Sequence, residues 1–254
     1  MLPWETLRRL LGLPSDMAPP GPTDLVRLAI DEPRRARLIG MALSALQPTE
    51  APAALLQSAL DRGAIRPDIA IELLGCVRHG AGYTLARSCL YNAERREAAF
   101  AAGIAMARIG GADADADLTV ALWAAPEREG REGAALGLCE LGEAHHAEAI
   151  YRAAREGKIR VRVAAGCSLQ LPFDPVLLLE LLRSETGADR RLGTELVYEL
   201  LAQATDEAEL RLRELGDEGR WAVQVCLEDP NLTMLPDKRG ALEAWVYADA
   251  SSSG

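Results

Sequence analysis

The segment Pro126-Glu127-Arg128-Glu129-Gly130-Arg131-Glu132-Gly133-Ala134-Ala135-Leu136-Gly137-Leu138-Cys139-Glu140-Leu141-Gly142 decides how the chain reads. It opens on a proline turn, sets arginine near its start, and runs through small and aliphatic residues to a closing glycine. Proline at the entry and glycine at the exit predict a helix between them. Ala134, Ala135 and Gly137 are small enough to let another helix approach closely.

The same order of residues recurs on both sides. Asp31-Glu-Pro-Arg-Arg35, Asn92-Ala-Glu-Arg-Arg96, Gly157-Lys-Ile-Arg-Val-Arg162, Gly187-Ala-Asp-Arg-Arg191 and Asp217-Glu-Gly-Arg220 each open such a run, and Ile65-Arg-Pro-Asp68 opens another. With Arg35, Arg66, Arg96, Arg131, Arg162, Arg191 and Arg220 as markers, the spacings are 31, 30, 35, 31, 29 and 29. The long interval coincides with Gly110-Gly-Ala-Asp-Ala-Asp-Ala-Asp117, whose alternating acids suit a flexible loop. Between the marked helices lie shorter amphipathic runs: Thr23–Ile30, Ala51–Leu60, Tyr83–Leu90, Leu118–Ala125, Ala144–Arg155, Pro175–Arg183 and Asp206–Glu214. Seven helical hairpins of about 30 residues then fill positions 23–229. A hairpin with two apolar stripes cannot bury both alone, so neighbours are expected to stack into a curved solenoid.

Composition agrees. Alanine (44) and leucine (40) make up about a third of the 254 residues, and Phe, Trp and Tyr only 4%. That favours helices over a sandwich or barrel and leads to an expectation of no β-sheet. Outside the repeats, positions 1–13 read as an amphipathic helix with Trp4, Leu7, Leu10 and Leu11 on one face, expected to cap the first hairpin. A proline-rich linker spans 14–22, and 230–254 form a C-terminal extension and tail.

Charge and cysteine usage exclude several roles. Twenty-eight basic against 38 acidic side chains leave a net −10, most of it in the second half. Phosphate-backbone affinity comes from Lys and Arg, so nucleic acid is not an expected partner. Cys76, Cys89, Cys139, Cys167 and Cys226 are scattered and odd in number, against a disulfide framework or a thiolate zinc site. The opening MLPWETLRRLLGLP lacks the pattern of a signal peptide, and Glu180 breaks the longest apolar stretch, Val176 to Leu182. A cytoplasmic protein without membrane insertion is expected.

The segment that opened the argument resembles the second helix of the short bacterial HEAT-like repeat, the kind first named from phycobilisome lyases. That helix reads Val-Arg-x-x-Ala-Ala-x-Ala-Leu-Gly-x-Ile-Gly, and Gly130 to Gly142 follow it closely. Ala102-Gly103-Ile-Ala-Met-Ala-Arg-Ile109-Gly110 follow its second half; Ala70 to Gly75 and Gly193 to Tyr198 match more loosely. The resemblance covers about four fifths of the chain and implies an all-α, right-handed α-α superhelix of about seven hairpins. It implies an interrepeat Asp–Arg ladder for the marker arginines, incomplete here because Ala99 and Pro67 stand at two of the arginine positions. It further implies that two positions of each second helix, four apart, face a concave groove. These are Glu72 and Cys76, Ile104 and Arg108, Leu136 and Glu140, Glu195 and Glu199, and Gln224 and Glu228, with Trp221 one turn earlier on the last. The later part of such a groove is acidic, with Ile104, Leu136 and Trp221 as apolar contacts.

Catalytic chemistry finds little support in the residues. The HEAT-like hydroxylases hold two irons through repeated His-Glu dipeptides, and none of His79, His145 and His146 is followed by glutamate. His145 and Glu148 share a helix face and offer two metal ligands without a third marked by spacing. Asp113, Asp115 and Asp117 form no evident acid–base pair, and Cys167 and Ser168 have no marked histidine partner. No catalytic residue, metal or cofactor is therefore assigned. The leading expectation is a protein-binding scaffold whose concave face takes a partner with a basic, partly apolar segment. A bilin-type chromophore lyase or isomerase is the alternative, and a nucleic-acid-directed HEAT-like enzyme comes after it.

Overall fold

A computed structural model of the chain describes residues 4–14, 16, 18–44, 50–92, 95–171, 175–203 and 205–247. Among these residues there are sixteen α-helices and no strand. None of the helices is long and apolar enough to cross a membrane. The chain divides into two compact units, residues 1–141 and 142–254.

The first unit holds α1 (Trp4–Leu10), α2 (Pro22–Asp31), a short 3-10 turn (Pro33–Arg35), α3 (Ala36–Leu43), α4 (Glu50–Asp61), α5 (Pro67–Val77), α6 (Ala81–Asn92), α7 (Arg96–Gly110), α8 (Asp113–Ala124) and α9 (Arg128–Leu141). Proline starts α2 and α5, where a missing amide hydrogen costs nothing. From α2 onward each helix packs on its chain neighbour in pairs: α2 with α3, α4 with α5, α6 with α7, α8 with α9. The second helices then pack side by side, α3 on α5, α5 on α7 and α7 on α9. The last contact is the closest. A Cβ added to Gly137 would stand 2.6 Å from the Gly103 carbonyl oxygen, so these two backbones touch with no side chain between them.

The acidic stretch Asp113 to Asp117 corrects the sequence reading. It forms no loop but the opening turns of α8. Alanine is the strongest helix former, and aspartates in a first turn are favoured by the helix macrodipole. Only Gly111, at φ +52°, and Ala112 separate α7 from α8.

At the N-terminus, α1 packs against α3. Leu11 is 1% exposed and joins the core of Leu25, Val26 and Ile39, whereas Leu10 is 55% exposed. The apolar side expected of this helix is thus centred on Leu11; the side chains of Trp4 and Leu7 lie outside the described residues.

The second unit holds α10 (His146–Arg155), α11 (Val161–Gln170), α12 (Pro175–Arg183), α13 (Gly187–Gln203), α14 (Thr205–Glu214), α15 (Asp217–Glu228) and α16 (Pro236–Val246). Again chain neighbours pair, α10 with α11, α12 with α13 and α14 with α15, while α11, α13 and α15 pack in series. The extension after position 229 contains a helix the repeat pattern does not announce. On α16, Leu242 is fully buried, Lys238 donates to the Leu201 carbonyl, and Arg239 donates to the Leu227 carbonyl at 2.9 Å. This helix packs against α15.

Candidate functional site

The repeated arginines do not share one role. Arg35 pairs with Glu32 (2.8 Å), Arg66 with Asp68 (2.6 Å), Arg191 with Glu195 (2.8 Å) and Arg220 with Asp217 (4.0 Å), each within its own turn or helix. Arg131 Nη1 donates to the carbonyls of Ala125 and Pro126 at 2.7 and 3.0 Å, tying down the turn before its helix. Arg162 is exposed on α11. An acid two to four residues away is met with little loss of chain freedom, which favours these local pairs. Among the markers, Arg96 bridges neighbouring hairpins, 3.9 Å from Glu132. Other cross-hairpin pairs come from positions outside the pattern. In the first unit these are Arg87 with Asp117 (3.5 Å) and Arg108 with Glu140 (2.7 Å). In the second they are Arg155 with Asp189 (2.5 Å) and Arg183 with Glu218 (2.6 Å).

Among the described residues, a groove runs beside the second helices in each unit. The groove of the first unit, 320 Å³, lies between α5 and α7 and is lined by Glu72, Glu97, Phe100, Ile104 and Arg108. Three sequence-assigned residues, Glu72, Ile104 and Arg108, meet there. Cys76, one turn beyond Glu72, is not on its wall: it is buried, and a Cβ on Gly40 of α3 would stand 3.1 Å from its sulfur. Burial pushes the Cys76 thiol up from its ordinary value. Arg108 closes the far end, with Nε on the Glu140 carboxylate at 2.7 Å and Nη1 on the Cys76 sulfur at 3.7 Å. The charge of Glu140 is thereby matched by a cation of the neighbouring helix.

The groove of the second unit is larger, 820 Å³, within the range of cavities that hold ligands. Its floor is one face of α13, with Arg190, Arg191, Thr194, Glu195, Tyr198 and Glu199 at spacings of three and four. Val225, Glu228 and Asp229 at the end of α15 form one wall, which the Pro230–Leu232 turn continues. The start of α11 contributes Val161. Tyr198 is fixed by its hydroxyl, which donates to the Thr233 carbonyl at 2.9 Å. Glu195, Glu199 and Glu228 from the sequence assignment meet in this groove. Gln224 stands beside it and donates to Glu228 at 2.8 Å. Leu136 lines neither groove, and Trp221 lies under the Arg183 guanidinium, 5.3 Å from its ring centre.

Sequence reasoning missed the basic end and the turn wall of this groove. Arg191 entered only as a repeat marker, and Arg190 beside it passed unmarked. The Pro230–Leu232 turn lies beyond the last repeat, where no periodicity points to it.

Other polar residues singled out in the sequence lie outside both grooves. Asp117 accepts the Tyr83 hydroxyl at 2.9 Å as well as its contact with Arg87. Ser168 is buried, donates to the Ala164 carbonyl at 2.9 Å, and so accepts from the Tyr151 hydroxyl at 2.7 Å. His145 and Glu148 are exposed at the start of α10, while His146 is buried with its ring centre 4.1 Å from that of His145.

Compared with protein-family models, curated proteins and solved structures, the chain matches none.

Proposed function

We propose that this chain is a protein-binding scaffold of HEAT-like type, a right-handed stack of helical hairpins that holds its partner against the second helices. The repeat spacing and the serial packing of those helices within each unit support the architecture. The observation that carries the function is the 820 Å³ groove on α13 and α15. It gathers Glu195, Glu199 and Glu228 beside apolar Val225, Tyr198 and Leu232. Carboxylates beside apolar side chains suit a protein segment that is basic and partly apolar, because complementary charge speeds encounter and excludes wrong partners. The second unit is also the more acidic, with 13 basic against 20 acidic side chains. Five free cysteines fit a reducing, cytoplasmic setting.

The test is anisotropy of a labelled Lys/Leu-rich peptide, against an Asp/Leu-rich control, on the full chain. Changing Glu195, Glu199 and Glu228 together to lysine is expected to weaken binding of the basic peptide at least tenfold with helicity unchanged. Equal binding of both peptides, or indifference to the triple change, overturns the assignment.

A further inference from the structure

The two ends of the second unit's groove differ in charge, and this rests on the docking reading above. Toward the start of α13, Arg191 is matched by Glu195 at 2.8 Å, but among the described residues no carboxylate pairs with the exposed Arg190 guanidinium. That end therefore keeps a positive charge. At the end of α15, Glu228 and Asp229 are held by neutral groups. Glu228 accepts from the Gln224 amide at 2.8 Å, and Asp229 accepts from the Asn231 backbone and side-chain amides at 2.8 and 2.9 Å. Amide donors orient a carboxylate without cancelling its charge, so that end remains negative. The macrodipoles act in the same sense, since Arg190 stands in the first turn of α13 and Glu228 in the last turn of α15.

Between the charged ends lie Val161, Tyr198, Val225 and Leu232. We infer that the groove takes an extended segment of a partner protein with an acidic and a basic side chain separated by aliphatic residues. The acid lies at Arg190 and the base at Glu228 and Asp229. A purely cationic segment satisfies one end and is repelled at the other, so the groove selects mixed charge and fixes the direction of the bound strand.

The test uses the full chain and three labelled, capped peptides, each with Val-Leu-Val between its charged positions. The flanking residues are Asp and Arg, Asn and Arg, or Lys and Arg. The wild type is expected to bind the Asp/Arg peptide at least tenfold more tightly than the Asn/Arg one, and the Lys/Arg peptide least. Arg190→Glu should reverse the order, favouring Lys/Arg over Asp/Arg; because Arg190 is exposed, its melting temperature should not move. Glu228→Lys should weaken all three. If the wild type binds Asp/Arg and Asn/Arg equally and Glu228→Lys weakens both, the docking reading stands and the two-ended groove is overturned. If no peptide binds, both fall together.

Discussion

Gly103 of α7 and Gly133 of α9 meet backbone to backbone: a Cβ placed on Gly103 would stand 1.8 Å from the Gly133 carbonyl oxygen. Neither helix can yield without separating the two hairpins they belong to. Gly103→Ala and Gly133→Ala are expected to lower stability by about 3 kcal/mol or more, the upper range for overpacking a tight core. Gly240 makes the contrast, being exposed inside α16 with nothing within 4 Å of an added Cβ. Gly240→Ala should raise stability by up to about 1 kcal/mol through helix propensity alone. Urea midpoints of the three variants decide it.

Arg131 holds the turn between α8 and α9 through two backbone carbonyls. Arg131→Ala should cost about 1–3 kcal/mol, the usual scale for bonds from a charged donor. Arg131→Lys should recover only part of this, because an ammonium lacks the planar fork. Calorimetric melting of both variants, beside peptide binding that stays at the wild-type level, would place the residue in the fold rather than in the site.

Glu132 is fully buried on α9, with the Arg96 guanidinium 3.9 Å away and itself 4.6 Å from the Phe100 ring centre. Removing the cation leaves a buried carboxylate without that partner. Arg96→Ala is expected to cost about 2–4 kcal/mol, reduced from a fully buried pair because the arginine is a third exposed. Glu132→Gln in the same background should regain part of the loss. A double-mutant cycle that returns no coupling would show the two residues acting independently.

Tyr83 is pushed up to about 12 by partial burial, by its hydrogen bond to Asp117 and by that carboxylate's charge. Its pKa in the unfolded chain is about 10, so the fold favours the neutral phenol. That contribution is complete below about pH 10 and disappears as pH rises through about 12, because the unfolded chain loses this proton first. Ultraviolet titration should lose a late-titrating component in Tyr83→Phe, and that variant should flatten the fall of stability in this window. A titration with all tyrosines near the ordinary value would refute the assignment.

Burial also raises the thiols, Cys89 to about 11 and Cys226 to about 12. Thiolate is the reactive form, so alkylation near neutral pH should be slow in the folded chain. All five cysteines should react on unfolding, and mass spectrometry of partly labelled protein gives the order. Fast labelling of Cys226 in the native state would contradict the burial described.

Much of the helix inventory was legible beforehand because its causes are local. Pro175–Arg183 was placed to the residue, and Asp206–Glu214 to within one, by breaks and apolar spacing alone. The error at Asp113 to Asp117 came from reading alternating acids as a loop, when alanine and the helix dipole favour a first turn. The groove was only partly legible. Glu195, Glu199 and Glu228, which the family resemblance named through its repeat register, line one groove on α13 and α15.

The sequence by itself determined an all-helical chain and the rhythm of its helix pairs, because these depend on interactions within a few residues. Tertiary structure alone decided which charges remain unmatched. Glu140 meets Arg108 32 positions away, while Glu228 and Asp229 meet only amides beside them. It also decided that the Pro230–Leu232 turn walls the larger groove and that α16 packs against α15. Contacts of this kind join residues with no periodic relation, and the packing of whole helices sets them.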